Sequence, residues 1–489
     1  MPDADPSGRP SPSARSGLTA MKPLSGLRRM AERTPASRER FIDLLRAIAI
    51  VAVVLGHWLV TVVEYQNGQL VGRSALPDLR WAHPLTWLVQ VMPIFFLVGG
   101  YANAASLTSH HRAGRHAGDW LVHRAARLVR PTTALILILA AGAGLAQLSG
   151  LDPHWARLAV WFAGISLWFL SVYLAIVALA PLMWALHHRY GAAVPTVLLV
   201  LVAAGDLARL YGDGRWGNGS FLFGWLAIHQ IGFFWRDNRL PTRPHTLWAM
   251  LAVGLAVLLV LTVPGPYPIS MINVPGERLH NMSPPSMALL ALFTAQLAIA
   301  LLVRPAAERW LRRTRPWTAV IAVNAVILTV FLWHMVAAIL LVVALNAAGV
   351  LPTPAAGTAA WWAWRLPWLI ALTIVLAPLV AVFGPVESSA GRKLRRRPRW
   401  MPKPLASTLA RPAPRLLLAV AGLAAIAFGL LDNSLYPRTQ PAPFGIPTRA
   451  LISYLIGAIV LRALHAATPA TDTEPVQHDM HRSSTHERP

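Results

Sequence analysis

Apolar residues along this chain neither alternate with polar ones at the period of a strand nor repeat as the narrow stripe of a soluble helix. They run on, in stretches such as Leu44 to Val63 and Ala319 to Leu345. Runs of roughly 17 residues or more are long enough, as helices, to cross a hydrocarbon core about 30 Å thick. Spans are predicted near 43–63, 86–106, 132–148, 159–186, 192–208, 219–235, 246–263, 287–303, 319–345, 366–383, 415–431 and 447–465. The expected fold class is therefore all-α, a polytopic transmembrane bundle of about twelve helices.

The polar connections between these runs set the expected topology. Lys and Arg total 44; alternate connections carry 34 on one side, including both tails, and 9 on the other, with Arg46 left inside the first span. The positive-inside rule then places both termini in the cytoplasm, and an even number of spans keeps the asymmetry intact, so twelve is preferred to eleven. The expected organisation is a basic, disordered cytoplasmic tail at 1–40, a ten-helix core at 41–385, a basic cytoplasmic linker at 386–414, two further spans within 415–465 and a disordered tail at 466–489. The first 40 residues lack the apolar stretch and small-residue cleavage site of a signal peptide.

Composition sharpens the picture in three ways. Only 13% of residues are charged, about half the share usual in a soluble chain. The net charge of +24 is spread between the apolar runs and not gathered on one stripe, which argues against nucleic acid as a partner. The chain has no Cys, so a thiol nucleophile, a disulfide framework and a cysteine metal site are excluded, and no metal site is expected. The sequence also lacks a P-loop, a GxSxG elbow and an HExxH helix. No two halves match in hydropathy, which counts against the commonest transporter architectures.

Ionisable groups inside a span cost about 2.5 to 3.5 kcal/mol each even on lenient scales, so each needs a reason. The first span has three, Asp43, Arg46 and His57. Eleven residues make roughly three full helical turns, which puts Arg46 and His57 on one face about 16 Å apart along the axis. Asp43, three residues before Arg46, is placed for an ion pair with it. Two readings are open: a functional polar stripe, or an anchor at the helix end together with a satisfied core imidazole. His334 in the ninth predicted span is placed to face the same cavity as His57, or else to bond between helices. Gly99 and Gly100 in MPIFFLVGGY are read as packing glycines.

Two polar connections are candidate sites. ERLHNMSPPSM carries Glu277, His280, Asn281 and Ser283 before a double proline, which reads either as a shaped outer entry loop that binds an acceptor or as a simple helix terminator. Arg112, Arg115, Arg124, Arg127 and Arg130 precede the third span, where they serve either to grip the phosphates of a nucleotide-bearing co-substrate or only to fix topology. The cations of the linker at 392–415 serve either to meet anionic lipid headgroups, at about 1 kcal/mol per nearby cation, or only as a topological signal.

Taken in order, these residues resemble the acyltransferase-3 family of integral-membrane enzymes. The likeness begins with Arg46 and His57, separated by ten residues. It continues through FFLVGGY at Phe95 to Tyr101, RAARLVRP at Arg124 to Pro131, LWFLSVYLAIVALAP at Leu167 to Pro181 and FLWH at Phe331 to His334, and it covers about residues 38 to 385. Gly99 stands where the family usually has Ser, and the last two spans are additional.

The resemblance implies an O-acetyltransferase-like enzyme in a bacterial plasma membrane. It would use acyl-CoA, commonly acetyl-CoA, as co-substrate from the cytoplasm and would modify a carbohydrate or other hydroxyl-bearing acceptor of the envelope or of secondary metabolism. On that footing His57 is the expected general base, Arg46 the group that holds the donor, Asp43 its orienting partner and His334 a second polar partner; Arg124, Arg127 and Arg130 would contact the donor's phosphates. A transporter or flippase for a polar or lipid-linked solute is the principal alternative, and a scaffold or sensor without chemistry a third.

Overall fold

The computed structural model describes residues 29, 31–32, 34–35, 38–66, 69–275, 277, 279–390 and 400–468. Most of both predicted tails and the most basic part of the linker lie outside these residues. The helices are α1 (Arg40–Val60), α2 (Thr86–Val89), α3 (Met92–Arg112), α4 (Ala117–Leu148), α5 (Pro153–Ala163), α6 (Leu167–Tyr190), α7 (Ala193–Tyr211) and α8 (Ser220–Arg236). They continue as α9 (Pro244–Thr262), α10 (Met287–Leu311), α11 (Thr314–Ala325), α12 (Ile327–Ala347), α13 (Ala359–Ser389), α14 (Lys403–Ala410), α15 (Pro412–Leu435) and α16 (Thr448–Ala466).

Among the described residues, 11 helical segments are long and apolar enough to span a membrane. The chain is an all-α polytopic bundle and a multi-pass membrane protein. The remaining predicted span, 219–235, is α8, a helix of 17 residues. It lies deep in the bundle, with Trp225, Ile228, His229 and Gln230 fully buried.

The lipid-facing surface explains the unbroken apolar runs. On α9, Val253, Val257, Leu259 and Val260 are exposed, and so are Leu366, Ile370 and Ile374 on α13. A helix that must be apolar toward both lipid and neighbour shows no polar face, and its period disappears from the sequence. Where two helices meet most closely, small residues do the work. A side chain on Gly100 of α3 would collide with the His229 carbonyl of α8, and Gly232 of α8 sits against the backbone of α3.

Several predicted spans differ from the observed helices, among them 86–106, which is α2 and α3 parted at Gln90 and Val91, and 366–383, which extends to the 31-residue α13. The run 159–186 is two helices, α5 and α6, parted at Gly164 to Ser166, where Gly164 closes α5. The run 319–345 is also two, α11 and α12, parted at Val326. There the Glu387 carboxylate of α13 accepts from Leu328 N at 3.2 Å, Thr329 N at 2.8 Å and the Thr329 hydroxyl at 2.6 Å. That side-chain cap satisfies the first amides of α12 and makes an interruption tolerable inside the bundle. The third span extends to a 32-residue helix that begins at Ala117, so the arginine-rich segment is helical.

A two-stranded antiparallel hairpin, β1 (Thr61–Gln66) paired with β2 (Gln69–Ser74), follows α1 directly and was not anticipated. It braces three elements: Gly72 lies against Phe162 of α5, Arg365 of α13 donates to Thr61 O at 2.9 Å, and Tyr65 bonds Asn346 of α12. A carboxylate cluster of Glu64 and Asp78 holds Arg73 across the hairpin.

The two C-terminal spans are packed into the bundle: α15 lies against α4 and α6, and α16 against α15 and α4. The joint is Arg157 of α5, which is fully buried. Its Nη1 donates to Asn433 Oδ1 at 2.7 Å and Gly445 O at 3.1 Å, and its Nη2 to Asn433 O at 3.0 Å and Tyr436 O at 2.9 Å.

Candidate active site

The first helix divides lengthwise into a lipid side and an interior side. Ile48, Val51, Leu55 and Leu59 are exposed, at intervals of three and four residues. At 100° per residue, the stripe of Asp43, Arg46 and His57 lies on the opposite face, turned into the bundle. Spacing thus told which residues share a face, and packing shows that this face is the inner one.

At one end of the stripe, Arg46 Nη2 donates to Asp43 Oδ1 at 2.5 Å. Its Nε donates to Asn324 Oδ1 at 2.7 Å, and Asn324 Nδ2 returns a bond to Asp43 O at 2.9 Å. Asn324 comes from the last turn of α11, beside the break that the sequence concealed. Arg38 closes the other carboxylate oxygen at 2.7 Å. The Arg46 side chain nonetheless keeps 30% of its surface accessible, and its Nη1 has no hydrogen-bond partner among the described residues. Arg124 and Tyr173 lie within electrostatic reach of it, and Arg124 Nη2 donates to Tyr173 OH at 3.1 Å. Two guanidinium groups and one phenol are thus gathered at this end of the stripe.

At the other end, the two intramembrane imidazoles meet. His57 Nδ1 stands 2.8 Å from His334 Nε2, and the rings are nearly parallel with centroids 5.1 Å apart. His334 is fully buried. Its Nδ1 is 2.6 Å from Phe331 O, and its own carbonyl accepts from Trp58 Nε1 at 3.0 Å. Trp368 Nε1 in turn donates to Trp58 O at 3.0 Å. Three helices, α1, α12 and α13, therefore hold the imidazole pair through backbone carbonyls and indole donors.

An aromatic wall connects the two ends. Phe331 packs edge-on to Phe169 at 5.5 Å, and Phe169 meets Phe95, Phe96 and Tyr173 within 4.9 to 6.0 Å. Gly99 is part of this wall, since a Cβ there would come 2.9 Å from the Tyr173 ring. The missing side chain gives Tyr173 the room to reach Arg124. Both glycines pack helices, as their adjacency led us to expect.

The remaining sequence candidates are dispersed. Arg127 is exposed, and Arg130 is exposed with Nη1 donating to Ser389 O at 3.1 Å, so of this trio Arg124 alone turns toward Arg46. Arg112 and Arg115 are also exposed. Asn281 is buried and spends its side chain on the loop: Nδ2 donates to Pro268 O at 2.7 Å and Ser270 O at 3.0 Å, and Oδ1 accepts from Ser286 at 2.7 Å. Glu277 is exposed and Ser283 half-buried in the same loop. Burial holds His280 below the usual imidazole range. Beneath the loop, Asp206 accepts from Tyr267 OH and Met287 N, each at 2.8 Å, and pairs with Arg209.

Sequence reasoning passed over Asn324, Tyr173 and Trp58. Tyr173 and Trp58 look like ordinary apolar-run aromatics. Asn324 carried a signal, as an amide inside a predicted span. Among the described residues no cluster of three or more His, Asp or Glu side chains is arranged to hold a metal.

The geometry can be set beside known proteins. Searches of curated proteins and of solved structures give no match. A family model described as an acyltransferase domain matches residues 39–384, from the first turn of α1 to near the end of α13, and so encloses Asp43, Arg46, His57, Arg124, Tyr173 and His334. The chain belongs to the acyltransferase-3 family and is a multi-pass membrane acyltransferase.

Proposed function

We propose that the protein transfers an acyl group, acetyl in the first instance, from acyl-CoA to a hydroxyl of a carbohydrate or other envelope or secondary-metabolite acceptor. The reading places both termini in the cytoplasm of a bacterium and the Arg46 end of the stripe toward the donor. His57 is the general base on the acceptor hydroxyl, and His334 is its partner. Arg46 and Arg124 hold the donor's phosphates or pantetheine carbonyls, and Asp43 keeps Arg46 oriented. A neutral imidazole carries the lone pair such a base needs, and general bases contribute typically about 10²- to 10⁴-fold in rate.

The observation that carries this reading is the bonded imidazole pair at 2.8 Å on the interior face of α1, in line with a partly accessible guanidinium on the same stripe. A chain built only to hold helices together would have no use for a cation with a spare donor at one end of such a face. The extra helices α15 and α16 lie outside the matched segment, and their part is to close the flank of α4 and α6.

The test is transfer from radiolabelled acetyl-CoA into the envelope fraction of membranes bearing equal amounts of wild-type protein or His57→Ala. We expect label from wild type and a loss of about 10²-fold or more in the variant. Equal label from both would remove His57 from the chemistry. No label from either would point to another donor or to solute transport.

A further inference from the structure

The hydrogen-bond chain that ends on Phe331 fixes which nitrogen of His57 is free. A carbonyl oxygen only accepts, so His334 Nδ1, 2.6 Å from Phe331 O, must carry a proton. In a neutral imidazole the other nitrogen is then a bare acceptor. His334 Nε2 therefore accepts, and His57 Nδ1, 2.8 Å away, must donate. The reverse arrangement would set two lone pairs face to face at the Phe331 carbonyl. A doubly protonated His334 would leave an imidazolium buried among Phe331, Trp58 and His57 with no carboxylate among its bonded partners.

What remains is His57 Nε2. It has no protein hydrogen-bond partner among the described residues, and His57 is only partly buried.

We infer that His57 Nε2 is the proton-accepting atom and that His334 is a positioning residue, which holds His57 in its Nδ1–H tautomer by passing on the constraint of the Phe331 carbonyl. This rests on the acyl-transfer reading for its chemical meaning. The acceptor O–H bond breaks and an Nε2–H bond forms; the acceptor oxygen bonds to the thioester carbonyl carbon, the C–S bond breaks, and the proton on Nε2 goes to the departing sulfur. The products are an ester and a thiol, and His57 returns to its starting tautomer. While Nε2 is protonated, the Nδ1–H of the imidazolium stays bonded to the neutral acceptor His334 Nε2.

Nitrogen-15 NMR of histidine-labelled protein in lipid bilayers tests this without reference to turnover, because protonated and bare imidazole nitrogens resonate far apart. Difference spectra against His57→Gln and His334→Gln assign the two rings. We expect Nδ1–H and bare Nε2 on both in the wild type. In His334→Leu, the loss of the acceptor should move His57 toward the Nε2–H form. The same variant should lower kcat on the order of 10²-fold with KM for the donor unchanged, and His334→Gln, whose amide oxygen can accept, should recover part of it. An Nε2–H on wild-type His57, or a doubly protonated His334, would overturn the inference even in a protein that transfers acyl groups. The expected tautomers in a protein that transfers nothing would strip Nε2 of its role as base.

Discussion

Arg157 and Arg46 are both guanidinium groups inside a membrane protein, and they are held in opposite ways. Arg157 is fully buried and gives four bonds to Asn433, Tyr436 and Gly445, with its plane 5.2 Å from the Tyr436 ring. Arg46 gives one bond to a carboxylate and one to an amide, and 30% of its side chain stays accessible. Arg157 has both terminal nitrogens engaged and no surface to offer a ligand. Arg46 is oriented on one side and open on the other. Arg157 too has an unpaired donor, its Nε, but that atom is sealed in the protein, so an intramembrane charge is informative through the donor capacity it leaves accessible, and less through its mere presence.

The comparison can be broken most sharply at Arg157. Arg157→Ala strands three buried acceptors and one half-buried one, and should destabilise the protein by about 3 kcal/mol or more, read as a lower thermal midpoint in detergent. Acyl transfer per folded molecule at a permissive temperature should stay near wild type.

Arg46→Ala should behave the other way round. Asp43 keeps Arg38 at 2.7 Å as a partner, so the thermal midpoint should barely move, while transfer falls on the order of 10²-fold, as when one preorganised donor is removed from a site. A large loss of stability in Arg46→Ala would make it a second Arg157 and defeat the distinction.

The smallest effect concerns the hairpin. Bonds from Arg73 at 2.8 and 3.1 Å hold the Glu64 carboxyl below its ordinary value of 4.5. A depressed carboxyl contributes stability that is complete above that ordinary value and is lost as pH falls through the lower, folded one. Amide protection factors in β1 and β2, taken relative to the unstructured exchange rate at each pH, should therefore fall slightly as pH drops below 4.5, and Arg73→Gln should flatten that dependence.

Parts of this molecule were legible in the sequence because they depend on local rules. The apolar runs announced spanning helices, because each backbone amide in lipid must be paired within its own segment. The step from Arg46 to His57 gave a shared face, because helical rotation is fixed at 3.6 residues per turn. The breaks at Ser166 and Val326 were not legible, since the apolar pattern runs straight through them and the cap on α12 comes from Glu387, some sixty residues later. The hairpin was also hidden, because Val62, Val63, Leu70 and Val71 read as the end of one apolar run and the start of a connection.

By itself, then, the sequence determined the solvent, the helical class, the polar stripe on α1 and a likeness that the family match confirms. Tertiary structure alone decided that His334 meets His57, that Arg124 of its trio turns inward and that Asn281 is spent on its own loop. The reason is physical. Helix geometry relates residues along one axis, but contacts between axes depend on how side-chain volumes of different helices interlock, and no period in one chain encodes that.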